Sequence, residues 1–68
     1  MADVLQRFGG KLREVRTKCG ISQERLAELA GLHRTYVSSV ERGERNISLQ
    51  NIDRLARALK VGLRDLMP

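Results

Sequence analysis

The chain has 68 residues, of which 41% are hydrophobic, and this length and composition are typical of one small folded domain. Thirteen basic residues against eight acidic ones give a net charge of +5, which favours a polyanionic partner, either nucleic acid or an anionic membrane surface, although a solvated surface also accommodates it. Because Phe8 and Tyr36 are the only aromatic residues, the composition argues against binding of single-stranded nucleic acid by aromatic stacking.

The sequence offers little for catalysis, metal binding or membrane insertion. One cysteine, Cys19, excludes an intramolecular disulfide, and we expect a buried, inert thiol on the apolar face of the first helix. One histidine and one cysteine on separate helices cannot furnish a metal site, and no nucleophile–base pair is evident. No apolar run approaches the roughly 20 residues of a membrane span, and no signal peptide opens the chain. We therefore expect a cytoplasmic protein that is not an enzyme and has no cofactor.

The first predicted helix runs from about Asp3 to Cys19. Its apolar residues recur at three- and four-residue spacing and share one face: Leu5, Phe8, Leu12, Val15 and Cys19. Gly9 and Gly10 weaken this helix by about 1 kcal/mol each relative to alanine. Gly20 is expected to end it in a left-handed cap.

A short second helix follows, and Ser22 is expected to cap it without a reciprocal partner. Its predicted inner face consists of Leu26, Ala27, Leu29 and Ala30. Gly31 can adopt a positive φ at little cost, so the chain is expected to turn sharply there.

The third predicted helix begins at His33 and extends to about Arg42. Val37 and Val40 point toward the core, and at about 100° per residue the opposite side carries small or polar groups. These groups are Thr35, Ser38, Ser39 and Arg42. A protruding helix with small hydrogen-bonding side chains and a basic surplus is suited to a DNA major groove.

Two more helices are predicted in the remaining residues. Ser48 caps the first, whose inner side carries Leu49, Ile52, Leu55, Ala56 and Leu59. The second is a short apolar fifth helix with Val61, Leu63, Leu66 and Met67. Since no strand pattern appears, we predict an all-α, compact five-helix bundle that occupies residues 1–68 as one domain, with a helix-turn-helix at about 22–42.

Residues 9 to 67 resemble the phage-repressor and Cro type of helix-turn-helix domain, called the XRE family. The resemblance rests on SQERLAELAG, LHRTYVSSVERG, and SLQNIDRLARAL with VGLRDL. Within this family, HRTYVSSVERGERNISLQNI is similar to the small controller proteins of restriction–modification systems. The resemblance implies a transcriptional regulator that binds double-stranded DNA as a dimer, on a pseudo-palindromic operator and with the third helix in the major groove.

The resemblance and the helical geometry assign the same base contacts, namely Arg34, Thr35 and Ser39. Arg34 lies at the exposed first turn of the third helix, where its guanidinium can bind guanine O6 and N7. The methyl group of Thr35 suits a thymine methyl. The alternative for Arg34 is a solvated surface cation.

The resemblance assigns contacts with the DNA backbone to Gln23, Tyr36 and Ser38. Gln23 lies beside the N-terminus of the second helix, which attracts phosphate, and the Tyr36 hydroxyl can reach a phosphate from a half-buried ring. The alternatives are an ordinary exposed glutamine and a core tyrosine without a DNA role. Flanking backbone contacts, for which plain solvation is the alternative, are assigned to Arg42, Arg45 and Asn46.

Two charged residues border the apolar faces of their helices. In the family, residues at these positions pair across the domain, so we predict that Arg16 and Glu41 form a partly buried ion pair that orients the third helix. His33 departs from the serine, threonine or aspartate common at this cap, and it is expected to bind either the helix start or the DNA backbone.

The apolar end of the chain suggests a homodimer interface at Leu63, Leu66 and Met67, although these side chains could instead cap the core of a monomer. The alternative function is a protein–protein interaction module, similar to an antirepressor, on the same bundle. A membrane-surface role is disfavoured because the basic residues are spread over several helices. Since one domain is predicted, no small-molecule effector is evident.

Overall fold

A computed structural model describes residues 3–68 and consists of four α-helices followed by a 3₁₀ turn. The helices are α1 (Val4–Lys18), α2 (Gln23–Ala30), α3 (Arg34–Glu41) and α4 (Leu49–Leu59), and the 3₁₀ turn is Leu63–Leu66. The all-helical fold is as predicted, and residues 3–68 contain no strand. None of the helices in this range is both long and apolar enough to span a membrane.

The predicted fifth helix is wrong, because the last element is a four-residue 3₁₀ turn. Its bonds join residues three apart, from the amide of Asp65 to the carbonyl of Gly62 and from Met67 to Arg64. The Asp65 carboxylate also accepts a hydrogen bond of 2.8 Å from the Gly62 amide. A segment this short cannot gain enough i→i+4 bonds to offset the cost of nucleating an α-helix.

Side-chain caps fix the starts of three helices. Asp3 and Gln6 form a reciprocal capping box at α1, and the hydroxyls of Ser22 and Ser48 cap α2 and α4 as predicted. The cap residue of α3 is His33, whose side chain makes no capping hydrogen bond. The predicted role of His33 at the helix start is therefore not observed.

The core lies where all four helices and the 3₁₀ turn meet. Its fully buried side chains are Leu12, Leu26, Val37, Val40, Leu55 and Leu66. Val37 and Val40 hold α3 against this core, as the sequence predicts. Gly20 and Gly31 have φ of 73° and 70°, which confirms the predicted left-handed turns after α1 and α2.

Three apolar side chains that were predicted to be buried lie at the surface. Cys19 is exposed because it is the C-cap of α1, beyond the last packed turn. Leu29 is 47% exposed, since it points about 100° away from the middle of the face formed by the buried residues of α2. Leu49 is 69% exposed because it is the first residue of α4 and precedes the part of that helix that packs on the core.

The contact between α1 and α3 depends on a glycine. A Cβ atom on Gly9 would overlap the backbone carbonyl oxygens of Val40 and Glu41, whereas a Cβ on the neighbouring Gly10 would meet open space. Gly9 therefore lets the C-terminal end of α3 lie directly on the backbone of α1.

Candidate nucleic-acid interface

One side of α3 is open to solvent, opposite the valines that hold it. Arg34 and Thr35 are exposed and Ser39 is partly exposed, whereas Val37 and Val40 are completely buried. The three predicted base contacts therefore belong to the accessible side of a helix whose other side is fixed. The geometry meets the steric requirement for insertion into a groove about 12 Å wide.

The two serines of α3 have different hydrogen-bond states. The Ser39 hydroxyl donates to the Tyr36 carbonyl at 3.0 Å, which leaves its oxygen lone pairs as acceptors. The Ser38 hydroxyl accepts a hydrogen bond from the Arg42 guanidinium, and Arg42 Nε also donates to Glu44 at 2.9 Å. Ser38 and Arg42 thus form one exposed group at the end of α3, in which the guanidinium has further N–H donors to offer.

A cluster around Tyr36 joins α3, the following loop and α4. The Tyr36 hydroxyl accepts a hydrogen bond from Asn51 Nδ2 at 3.1 Å, so its own proton remains available for an outside acceptor. The Arg45 guanidinium lies over the ring, 5.2 Å from its centroid, in cation–π geometry. Sequence reasoning missed Asn51. Its position three residues after the Ser48 cap places it in the first turn of α4, but no pattern in the sequence indicates a contact with Tyr36.

The predicted ion pair between Arg16 and Glu41 is present and buried. Arg16 Nε lies 2.6 Å from Glu41 Oε2, and Arg16 Nη2 lies 3.1 Å from Oε1, so the contact is bidentate. The side chains are only 10% and 2% exposed. Arg16 also donates to the carbonyl of Ile21 at 2.8 Å. This network ties the C-terminal end of α3 to α1.

Gln23 belongs to the same network. Its Nε2 donates to Glu41 Oε1 at 3.0 Å, and the residue is partly buried at the first position of α2. The amide retains one N–H for a phosphate, but its orientation is set by Glu41. Gln23 therefore links α2 to the buried ion pair, in addition to its predicted contact with the DNA backbone.

The loop after α3 presents further polar groups. Arg45 and Asn46 are both exposed, and Asn46 Oδ1 accepts a hydrogen bond from the Ile47 amide at 2.9 Å. The Asn46 Nδ2 atom donates no hydrogen bond to any of residues 3–68, so it can donate to an outside acceptor. Clusters of three or more potential metal ligands are absent from the same range.

A family model described as helix-turn-helix matches residues 12–66. The chain belongs to the helix-turn-helix family. This match confirms the resemblance that was inferred from the sequence. It covers all of α2, α3 and α4 and the C-terminal half of α1.

Relatives of this helix-turn-helix protein include several control proteins. Control protein C.BamHI from Bacillus amyloliquefaciens is 51% identical over 61 residues, which are 88% of this chain and 75% of that protein. Control protein C.SmaI from Serratia marcescens is 43% identical over 65 residues, 96% and 77% of the two chains. The crystal structure of the restriction–modification controller protein C.AhdI from Aeromonas hydrophila superposes with a TM-score of 0.91 at 57% identity, and covers 93% of this chain and 96% of that one.

The predicted dimer contact at Leu66 requires correction. Its side chain is completely buried in the core of this single chain, because the 3₁₀ turn folds back onto α1 and α4. Leu63 and Met67 are partly exposed, as are two apolar side chains that the dimer prediction had not included, Val4 and Leu49. Val4 and Met67 line one shallow apolar cavity of about 180 Å³.

Proposed function

We propose that this helix-turn-helix protein is a sequence-specific regulator of transcription that binds double-stranded DNA through α3. The observation that carries the proposal is the accessible polar side of α3, fixed from behind by Val37, Val40 and the Glu41 ion pair. A fixed helix loses little conformational entropy when it enters the groove, so its side chains read bases from defined positions. We infer a cytoplasmic protein without enzymatic activity or a small-molecule effector.

Base recognition is assigned to Arg34, Thr35 and Ser39. Arg34 offers a bidentate donor pair to guanine, worth about 1–3 kcal/mol of discrimination against another base. Thr35 provides a methyl and a hydroxyl, and Ser39 provides an acceptor because its proton is held by the Tyr36 carbonyl. These three groups differ in chemistry, which favours recognition of a defined sequence over general affinity for DNA.

Contacts with the DNA backbone are assigned to both sides of α3. The Tyr36 hydroxyl donates to a phosphate, and Asn51 holds it in position. Gln23 uses its remaining N–H beside the N-terminus of α2, where the helix dipole also attracts phosphate. Flanking contacts are made by Ser38, Arg42, Arg45 and Asn46. Because charged contacts release counterions from DNA, affinity should fall steeply as salt concentration rises.

We assign the dimer contact to four exposed apolar side chains, namely Val4, Leu49, Leu63 and Met67, of which Val4 and Met67 line one cavity. Side chains this exposed gain free energy when a second copy covers them. A two-fold dimer presents its two α3 helices to successive major grooves about 34 Å apart on a pseudo-palindromic site.

The control proteins among the relatives support a more specific role. We propose that the chain is the controller of a restriction–modification system, since the relative of 51% identity is a control protein and the solved structure of 57% identity is a restriction–modification controller protein. The site residues needed for DNA recognition all lie within the part of the chain that these relatives cover.

Selection of duplexes from a random pool tests the function directly. The protein should enrich a two-part site whose half-site centres lie about 34 Å, or roughly ten base pairs, apart. Arg34→Ala should flatten the preference at one position of each half-site and reduce discrimination there by about 1–3 kcal/mol. Arg45→Ala, the matched removal of a cation predicted to contact only the backbone, should weaken all duplexes about equally.

Three results would contradict the proposal. If no sequence is enriched at moderate salt, DNA reading is excluded and the protein–protein module becomes the better explanation. Enrichment of single half-sites would contradict the dimer. Unchanged sequence preference in Arg34→Ala would remove Arg34 from the base contacts.

A further inference from the structure

A second surface of the molecule remains unused by the proposed DNA contacts. The C-terminal parts of α2 and α4 flank an open groove of about 350 Å³. Its lining consists of Leu29, Ala30, Arg54, Arg57, Ala58 and Lys60. The floor is thus apolar and the rim carries three cations.

The groove is separate from the predicted DNA contacts and from Leu49 of the proposed dimer contact. Predicted DNA contacts use the beginning of α2, at Gln23, and the start of α4, near Asn51, whereas Lys60 lies about 13 Å farther along the α4 axis than Asn51. Leu49 of the proposed dimer contact precedes Ala58 by nine residues, and therefore points about 180° away from it around α4.

Two of the three rim cations have no ionic partner among the described residues. Neither Arg54 nor Lys60 forms an ion pair with any of residues 3–68, and Arg57 pairs with Asp53 at 2.9 Å on the exposed surface. Exposed pairs of this kind contribute little, so Arg57 can exchange Asp53 for another carboxylate at small cost. A basic residue at the end of α4 complements the helix dipole, but that effect explains neither Arg54, in the middle of the helix, nor the exposed Leu29.

Lys60 carries a backbone conformation that favours glycine. Its φ of 59° makes it the single non-glycine residue with positive φ among residues 3–68. This conformation costs a side-chain-bearing residue roughly 1 kcal/mol or more. The left-handed residue ends α4, since the amides of Lys60 and Val61 donate to the carbonyls of Arg57 and Ala56, and a lysine rather than a glycine at this cap extends the basic rim.

We propose that this groove binds an acidic amphipathic helix of a partner protein. Apolar side chains of that helix pack on Leu29 and Ala58, and its carboxylates face Arg54, Arg57 and Lys60. The apolar floor favours a peptide over nucleic acid, because a phosphate backbone has no group that would cover Leu29. The groove is open, without buried polar groups converging on its interior, which favours a helix lying across it over a small ligand.

Nuclear magnetic resonance titration of the full-length chain tests this inference. The probe is a synthetic helical peptide with glutamates on one face and leucines on the other. We expect amide shifts at Leu29, Arg54, Ala58 and Lys60, both in the free protein and in its complex with duplex DNA. Arg54→Glu and Leu29→Gln should each weaken peptide binding about tenfold, which corresponds to about 1.4 kcal/mol.

Controls separate the groove from general charge attraction. Arg7→Glu makes the same charge change at an exposed position of α1, outside the groove, and should leave peptide binding within about twofold of the parent. A peptide with serines in place of the leucines should lose binding. Arg54→Glu and Leu29→Gln should both retain a dispersed spectrum and duplex binding. The test therefore distinguishes failure of peptide binding from failure of the proposed DNA function.

Several outcomes would overturn the inference. Equal binding of the serine peptide would mean charge attraction alone. Shifts centred on α3 that disappear when duplex is added would assign the site to the nucleic-acid surface. Absence of binding to the leucine peptide, or undiminished binding in both Arg54→Glu and Leu29→Gln, would exclude the groove as a docking site.

Discussion

At the level of single residues, Glu41 has the largest structural role in the interface. Its carboxylate accepts hydrogen bonds from Arg16 and from Gln23, and thereby connects α1, α2 and the end of α3. A buried carboxylate is costly unless it is paired, and here each oxygen has a donor within 3.1 Å. The orientation of α3 therefore depends on one acidic side chain that does not belong to the DNA-facing side of the helix.

The substitution Glu41→Ala should lower the free energy of unfolding by about 3–5 kcal/mol, because it leaves the buried Arg16 guanidinium without its counter-charge. The matched control is Glu44→Ala, which removes an exposed partner of Arg42 and should cost at most about 1 kcal/mol. Urea denaturation followed by circular dichroism measures both. Similar losses in the two variants would show that the buried pair has no special role.

Some residue-level features were predictable and others were not. Arg16 and Glu41 border the apolar faces of their own helices, so their pairing could be predicted from helical angle and family resemblance. The contact between Asn51 and Tyr36 joins two helices across a loop, and no periodicity within either helix indicates it. The exposure of Cys19 was missed because periodicity continues past the point where α1 ends.

At the level of elements, the position of α3 depends on how closely its C-terminal end approaches α1. Gly9 makes this approach possible, since its missing side chain leaves room for the carbonyls of Val40 and Glu41. The sequence indicated only that Gly9 weakens α1, and not that it forms a contact surface.

Alanine substitutions at Gly9 and Gly10 should have opposite effects. Gly10→Ala should stabilise the protein by up to about 1 kcal/mol, because the added methyl group meets open space and alanine favours a helix. Gly9→Ala should destabilise it by about 1–3 kcal/mol and weaken DNA binding, because backbone atoms of α3 must move. Thermal melting and duplex titration of both variants check this. Stabilisation by both would contradict the close approach.

Helix positions were largely predictable because each carries a local signal. Apolar spacing, serine caps and glycine turns place all four helices within a few residues of their observed ends. The sequence could not predict whether the last element is an α-helix or a 3₁₀ turn, since apolar spacing over four residues covers less than two helical turns. Leu29 was misplaced because a stripe of apolar residues does not reveal how wide the contact with its neighbours is, and Leu49 because the stripe does not reveal at which turn of α4 that contact begins.

At the level of the whole molecule, the main expectation concerns assembly. The exposed leucine at the start of α4 is among the most accessible large apolar side chains of the described residues. A domain of 68 residues buries a small core, so we expect association of two copies to add stability.

The variant Leu49→Glu should therefore shift the protein toward a 7.7 kDa monomer in sedimentation equilibrium at micromolar concentration. A glutamate in the first turn suits the helix dipole, so the fold should be retained. Gln50→Glu adds the same charge one residue later, at an exposed position, and should leave the dimer intact. If neither change affects association, the dimer contact lies elsewhere. A wild-type protein that is monomeric throughout would exclude the dimer itself.

The shortness of α3 has a consequence for how the regulator responds to heat. An eight-residue helix whose cap residue makes no side-chain bond has almost no helical content when separated from its neighbours. We therefore expect DNA binding to be lost together with the tertiary fold when the protein is heated, without a partly melted form that still recognises its site. Warming toward the melting point should therefore lower the concentration of folded, DNA-binding protein at a constant rate of synthesis. The expression of the regulated gene should change with temperature as it would with the amount of regulator.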